Sequence, residues 1–219
     1  MPQIKKEDNF IWLTASMVGM LLTGAFSRHF PDSLTILLLE ISSIVLLLLS
    51  LLSLASSPAW KKRLLILLAF MLITALTSVA TGLLAADVFF LMLLLLFFLS
   101  MGRLVAQEVL LSVPVDANKL VGAIALYMIL GMVWSVLYTM VLMIWPDALS
   151  GIPAGDWQNN LPQTTYFSFV TLTTLGYGDI SPARPMSEVL VILEAITGMF
   201  YLAIIVAGLV GTLKQGKNS

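Results

Sequence analysis

Hydrophobic residues occur along this chain in six long blocks that are separated by short polar stretches. A helix needs about 20 mostly apolar residues to cross a bilayer. The predicted spans are Phe10–Phe26, Leu34–Ala55, Leu64–Ala86, Val88–Met101, Leu120–Trp145 and Val189–Leu213, and the fourth is expected to continue as helix past Arg103. The pattern predicts an all-α membrane protein with six transmembrane helices.

A shorter apolar stretch between the fifth and sixth blocks departs from this pattern. Residues 164–173 (TTYFSFVTLT) are too few to span a bilayer, and a loop with several Gly and Pro residues precedes them. They predict a re-entrant half-helix with Asn160 as its cap and Pro162 in its first turn. The irregular stretch TLTTLGYGDISP (171–182) ends this segment. At membrane depth such backbone is tolerated only inside protein or beside a water-filled cavity, so we expect it to line an aqueous path.

The composition agrees with a membrane location and excludes several classes of function. The chain is 59% hydrophobic and only 11% charged, and its net charge of −1 gives no reason to expect a nucleic-acid partner. There is no cysteine and a single histidine, His29, so neither a disulfide framework nor a metal enzyme is indicated. We therefore expect a protein that is not an enzyme and has no cofactor.

The basic residues predict the orientation, because cytoplasmic loops carry an excess of Lys and Arg. If the N-terminus is cytoplasmic, Arg28 and Arg184 lie outside. Nine others then lie on the cytoplasmic side: Lys5, Lys6, Lys61, Lys62, Arg63, Arg103, Lys119, Lys214 and Lys217. This bias predicts a multi-pass protein of the cell (plasma or inner) membrane with both termini cytoplasmic and residues 146–188 on the outer face.

Two glycines in the irregular stretch point to its chemistry. Successive carbonyls of a strand face opposite sides, and they can face one axis only if alternate residues adopt positive φ, which glycine does readily. Gly176 and Gly178 are two residues apart, so the carbonyls of Thr174, Leu175, Gly176 and Tyr177 can all face inward, with the Thr174 hydroxyl as a further oxygen. Uncharged oxygens suit a monovalent alkali cation, whereas calcium generally requires carboxylates.

The sequence TTLGYGD (173–179) resembles the selectivity-filter signature of the potassium-channel pore family, with Leu175 where valine is commoner. The resemblance covers the outer helix, pore helix, filter and inner helix, from Lys119 to Leu213. The six-span layout resembles compact prokaryotic members of the two-helix pore superfamily that carry four preceding helices. The resemblance implies a homotetramer in the lipid bilayer, with K⁺ as the permeant ion at Thr174, Leu175, Gly176 and Tyr177, and Gly178 completing the filter.

The same resemblance divides the chain into two domains. Residues 1–118 would form a four-helix transmembrane module without an arginine array, and residues 119–219 the pore domain. Related channels often place two tryptophans where this chain has Tyr166 and Phe167. Because Phe167 cannot donate a hydrogen bond, we expect the support of Asp179 either to be weaker than in those channels or to rest on Tyr166.

The inner helix carries the predicted gating and cavity residues. Gly198 matches by position a glycine that acts as a gating hinge in the family, although close helix packing would also explain it. Under the resemblance Met199, Leu202 and Val206 line the cavity.

Two acidic residues lie inside predicted spans, where an ionisable group indicates a function. Glu194 precedes Gly198 by one turn and should lie behind the filter, with Thr171 and Thr173 as expected partners. It is either a protonated or hydrogen-bonded structural anchor or a charge in the cavity. Glu40, in the second span, is expected to have a structural role near the outer interface.

The leading functional prediction is a potassium-selective channel. The alternatives are a potassium transporter subunit, a weakly selective monovalent cation channel and a non-conducting scaffold. The fourth span, VFFLMLLLLFFLSMGR, has no basic residue before Arg103. Steep voltage gating takes about three to four charges per subunit, so we expect the channel not to be steeply voltage-gated.

Overall fold

The computed structural model describes residues 9–27, 58–111, 117–206 and 208. These residues form the helices α1 (Asn9–Ser27), α2 (Pro58–Thr81), α3 (Leu84–Leu111), α4 (Ala117–Ile144), α5 (Trp157–Leu172) and α6 (Pro185–Phe200). A π-helical segment, Tyr201–Val206, continues α6, and two short strands, β1 (Leu149–Ser150) and β2 (Ser181–Pro182), lie on either side of α5. The described part of the chain is thus mainly helical, as the hydrophobic pattern predicts.

Three helices of the described ranges are long and apolar enough to cross a membrane: Leu84–Leu110, Asn118–Ile144 and Pro185–Ala203. A shorter apolar helix covers Phe10–Phe26. The predicted second span, Leu34–Ala55, lies outside the described residues together with Glu40 and His29. The count of six spans and the division at residue 118 therefore stay predictions.

Helix α4 lies at the centre of the described helices, packed against α1, α3 and α5. The core that they share is built from large apolar side chains, among them Leu13 of α1, Leu94, Phe97 and Phe98 of α3, and Ile129 of α4. Gly122 of α4 allows α1 and α3 to approach α4 closely. An added methyl group at this residue would lie 2.7 Å from Cγ2 of Val109 and 3.0 Å from Cδ2 of Phe10. Small residues at helix contacts are typical of membrane helices, which associate by packing.

The boundary between the third and fourth predicted spans lies earlier than the sequence indicated. The helices break at Gly82 and Leu83, whereas the prediction placed the break near Asp87. Asp87 instead belongs to the first turn of α3, where its Oδ1 accepts a hydrogen bond from the Ser78 hydroxyl at 2.5 Å. The continuation of this span past Arg103 is confirmed, since α3 ends at Leu111.

The helix before the irregular stretch begins earlier than predicted. Helix α5 has 16 residues, with Asp156 at the N-cap, so Asn160 is a helical residue and not the cap. Pro162 lies inside the helix and not in its first turn. The polar residues 158–160 indicated a loop, but here they form the first turn, where the N–H groups of Asn159 and Asn160 both bond to the Asp156 carbonyl.

The strands β1 and β2 pair antiparallel, with Leu149 opposite Pro182 and Ser150 opposite Ser181. They join the loop after α4 to the segment that follows the irregular stretch. The carbonyl of Ala148, next to β1, accepts hydrogen bonds from the Ser187 hydroxyl at 2.7 Å and the Ala183 N–H at 2.9 Å. The residues on both sides of α5 are thereby fixed to each other and to the start of α6.

Candidate functional site

The candidate site is the loop of residues 174–178, which follows the C-terminal end of α5 and is called the filter loop below. The end of α5 holds this loop through backbone hydrogen bonds. The Val170 carbonyl accepts from the N–H groups of Leu175 at 2.9 Å and Gly176 at 3.4 Å, and the Thr171 carbonyl accepts from Thr174 at 2.9 Å. The first half of the filter loop is thus folded back onto the last turn of the helix.

Positive φ angles occur at alternate residues of the filter loop. They are +60° at Thr174, +58° at Gly176 and +82° at Gly178. When every second residue of a strand has positive φ, successive carbonyls turn toward the same side of the chain. This is the arrangement expected from the glycine spacing. The positive φ at Thr174 was not predicted, because a β-branched residue is strongly disfavoured there. Such strained backbone is typical of functional sites.

The filter loop makes few contacts within its own chain. Leu175 is 57% exposed and Tyr177 is 66% exposed. No atom outside the adjoining residues lies within 4 Å of the position that a Cβ would take at Gly176 or Gly178. Contacts within a single chain therefore do little to hold this strained backbone in place.

Tyr166 and Phe167 of α5 have different surroundings. The Tyr166 hydroxyl donates to Oδ2 of Asp179 at 2.8 Å, so the carboxylate that follows the filter loop is held by the residue expected from the sequence. Phe167 is buried and packs edge-on against Tyr138 of α4, with ring centroids 5.0 Å apart. Phe167 thus contributes packing where Tyr166 contributes a hydrogen bond.

Glu194 lies behind α5, but its partners differ from those predicted. Its side chain is 0% exposed, so in the described structure it is not a charge in an open cavity. Oε2 lies 2.6 Å from the Tyr138 hydroxyl and Oε1 lies 2.5 Å from the Ser168 hydroxyl. The predicted partner Thr173 instead donates to the Phe169 carbonyl. The partners depend on how three helices face each other, which residue spacing along the chain does not determine.

Hydroxyl groups attach α5 to α4 deep inside the protein. Ser135 and Thr139 of α4 are buried against Thr164 and Thr165 of α5. The Ser135 hydroxyl lies 2.6 Å from that of Thr165, and the Thr139 hydroxyl lies 2.7 Å from that of Thr164. This cluster was not predicted from the sequence. The available signal was a pair of hydroxyl residues at i and i+4 in an otherwise apolar span, where polar groups need partners.

The last carbonyl of α5 is held by both neighbouring helices. Tyr127 of α4 donates to the Leu172 carbonyl at 2.9 Å. Gly198 of α6 packs against the same carbonyl, and a Cβ at this position would collide with its oxygen. Of the two interpretations of Gly198, this geometry supports close packing. The hinge stays a prediction.

The helix changes its winding three residues after Gly198. The π-helical segment begins at Tyr201, whose hydroxyl donates to the Ala123 carbonyl of α4. Met199 is 58% exposed and Leu202 is 49% exposed within the single chain, and Val206 ends the segment. The cavity assigned to these three residues stays a prediction.

An ion pair joins the loop after α4 to the start of α6. Arg184, just before α6, donates to both carboxylate oxygens of Asp147 at 2.8 and 2.7 Å. These hydrogen bonds hold the pKa of the Asp147 carboxyl below its ordinary value, and the Asp147 carboxylate raises the pKa of Arg184. The pair is exposed, so it contributes little to stability.

A family model described as "Ion channel" matches residues 122–215. The matched segment contains most of α4, all of α5 and α6, and the filter loop between them. No curated protein and no solved structure matches the chain. The match supports an ion-channel function, and together with the long apolar helices it indicates a membrane protein.

Proposed function

We propose that the chain is a subunit of a potassium-selective channel that conducts K⁺ passively through a homotetrameric pore in the cell membrane. The single observation that carries this proposal is the alternation of positive φ angles at Thr174, Gly176 and Gly178. Carbonyls that face one side can replace the water around a K⁺ ion, and the filter loop itself contains no carboxylate. In the proposal, K⁺ contacts the carbonyls of residues 174–177 and the Thr174 hydroxyl.

The exposure of the filter loop supports the assembly of several chains. One chain supplies a single row of carbonyls, which can contact an ion from one side only. Tyr177 and Leu175 are large, apolar and mostly exposed in the single chain, so neighbouring copies would cover them. Four copies around a common axis would enclose an ion and cover the strained backbone at the same time.

The position of α5 supports attraction of a cation. Its C-terminal end leads directly into the filter loop, and the C-terminal end of a helix carries about half a negative charge. Four such ends around an axis would lower the energy of a cation in mid-membrane. The outer face would contain β1, β2 and the Asp147–Arg184 pair, and both termini would be cytoplasmic.

Ion flux from proteoliposomes tests this function against the alternatives. Purified protein is reconstituted in vesicles, and efflux driven by a K⁺ gradient is compared with efflux driven by an equal Na⁺ gradient. Fast K⁺ efflux with little Na⁺ efflux is expected. Equal fluxes would favour the weakly selective channel, and no flux of either ion would contradict a conducting pore.

The mass of the conducting preparation tests the assembly. A mass measurement in lipid or mild detergent should give four copies of the chain. A monomer or dimer in the preparation that conducts would contradict the homotetramer.

A further inference from the structure

Glu194 belongs to a chain of buried oxygen atoms that connects three helices. Oε2 of Glu194 lies 2.6 Å from the hydroxyl of Tyr138 in α4, and Oε1 lies 2.5 Å from the hydroxyl of Ser168 in α5. The same Ser168 oxygen lies 2.8 Å from the carbonyl oxygen of Gly131 in α4. Glu194, Ser168 and Tyr138 are each 0% exposed, so bulk water does not reach these groups.

The number of hydrogen atoms limits how these contacts can be made. A serine hydroxyl has one hydrogen and can donate it to only one acceptor at full strength. The Gly131 carbonyl can only accept, so the 2.8 Å contact requires the Ser168 hydrogen. The 2.5 Å contact between Ser168 and Glu194 then needs a hydrogen on Oε1. With that hydrogen, each contact in the row from Tyr138 to Gly131 has one donor and one acceptor.

The charges around Glu194 agree with a neutral side chain. Within the described ranges no basic side chain forms a salt bridge with Glu194, whose side-chain partners there are the hydroxyl groups of Tyr138 and Ser168. From α4, Tyr138 contacts it and Tyr127 is close enough to interact electrostatically. From α5, its contact is the uncharged Ser168 hydroxyl. A carboxylate in this position would be a buried charge without a counter-charge, which is costly.

We infer that Glu194 carries a proton and acts as a positioning residue that fixes the pore helix α5 between α4 and α6. A neutral carboxyl group can accept from Tyr138 with one oxygen and donate to Ser168 with the other. Ionisation would remove the donor, so Ser168 could no longer serve both Glu194 and Gly131. Ser168 lies one helical turn before Leu172, the last residue of α5. The bond between Glu194 and Ser168 therefore fixes the position of the helix end that holds the filter loop. Its functional role rests on the proposed channel function.

Infrared spectroscopy tests the proton directly. The spectrum of Glu194→Gln is subtracted from that of the wild-type protein in the same lipid near neutral pH. We expect the difference to contain the carbonyl stretch of a protonated carboxylic acid, shifted in D₂O. Glu188→Gln is the matched control, because it makes the same Glu-to-Gln change at an exposed acid in the first turn of α6. Carboxylate bands alone in the Glu194 difference would overturn the assignment.

Flux measurements test the positioning role. In Glu194→Gln the amide can donate to Ser168 and accept from Tyr138, so K⁺ efflux should stay close to that of the wild type. Glu194→Ala removes both hydrogen bonds and should lower the fraction of flux-competent protein about tenfold or more. Loss of flux in an intact Glu194→Gln tetramer would contradict the positioning role. If the wild type itself does not conduct, the channel proposal fails, while the infrared result still decides the proton.

Discussion

Replacement of Gly178 with alanine tests the filter loop at the residue where φ is +82°. Within one chain the added methyl group would meet no atom within 4 Å, apart from those of the adjoining residues. Within the single chain the effect of the substitution is therefore conformational and not a collision. An L-residue disfavours the left-handed region, and alanine at this position should drive the backbone out of the conformation that aligns the carbonyls.

The magnitude follows from the cost of left-handed backbone and from the proposed symmetry. The cost is about 1–2 kcal/mol for each L-residue. If four subunits must adopt the conformation together, the total is about 4–8 kcal/mol, which lowers the population of the aligned filter by about three to six orders of magnitude. We therefore expect Gly178→Ala to abolish selective K⁺ flux.

The assay is K⁺ and Na⁺ efflux from proteoliposomes with equal amounts of tetramer, verified by mass. Gly19→Ala in α1 is the matched control, since a Cβ there also meets nothing within 4 Å but φ is not positive, and its flux should be unchanged. D-alanine at position 178 should restore selective flux, because a D-residue prefers the mirror-image conformation. Unchanged K⁺ and Na⁺ flux in Gly178→Ala would refute this account of the filter loop.

Three further predictions concern the surroundings of the pore. Trp157, the first residue of α5, donates a hydrogen bond from Nε1 to Oδ1 of Asp87 at 2.9 Å. A double-mutant cycle of Asp87→Ala and Trp157→Phe that measures tetramer stability should therefore give a coupling energy of about 1.5–3 kcal/mol. Additive effects of the two substitutions would contradict the contact. Because the pKa of Asp147 is lowered, its bond to Arg184 stabilises the contact between the loop after α4 and the start of α6 at pH values above the ordinary carboxyl pKa. This stabilisation is lost as the pH falls through the lowered value. Protection of the β1 amides from hydrogen exchange, corrected for the intrinsic exchange rate at each pH, should therefore fall more on acidification in the wild type than in Asp147→Asn, and an equal fall in both would contradict the pairing. One full charge that crosses the membrane field is worth about 2.3 kcal/mol per 100 mV, and Arg103 can cross only part of the field. Open probability should therefore vary weakly with voltage. A steep conductance–voltage curve that is lost in Arg103→Gln would contradict this.

The parts of the fold that depend on local pattern could be predicted from the sequence. Runs of apolar residues give the helices α1, α3, α4 and α6, because a membrane helix satisfies its own backbone whatever its neighbours are. The spacing of Gly176 and Gly178 predicts positive φ at alternate residues of the filter loop, since glycine is the residue that adopts positive φ at least cost. Both signals lie within a few consecutive residues.

The remaining features depend on contacts between distant segments. The start of α5 was placed too late because Gln158, Asn159 and Asn160 resemble a loop, while packing of Trp157 on Phe90 and its bond to Asp87 fix the helix there. The partners of Glu194 depend on which sides of α4, α5 and α6 pack against each other. The positive φ of Thr174 opposes its intrinsic preference, and only the surrounding structure can impose it.

Potassium selectivity is the central claim, and the reversal potential of the current tests it most directly. Wild-type protein is placed in a planar bilayer with K⁺ and Na⁺ gradients of equal size in opposite directions. We expect a reversal potential close to the K⁺ equilibrium value, which is about 59 mV for each tenfold K⁺ gradient. A reversal potential at zero, or near the Na⁺ value, would contradict it.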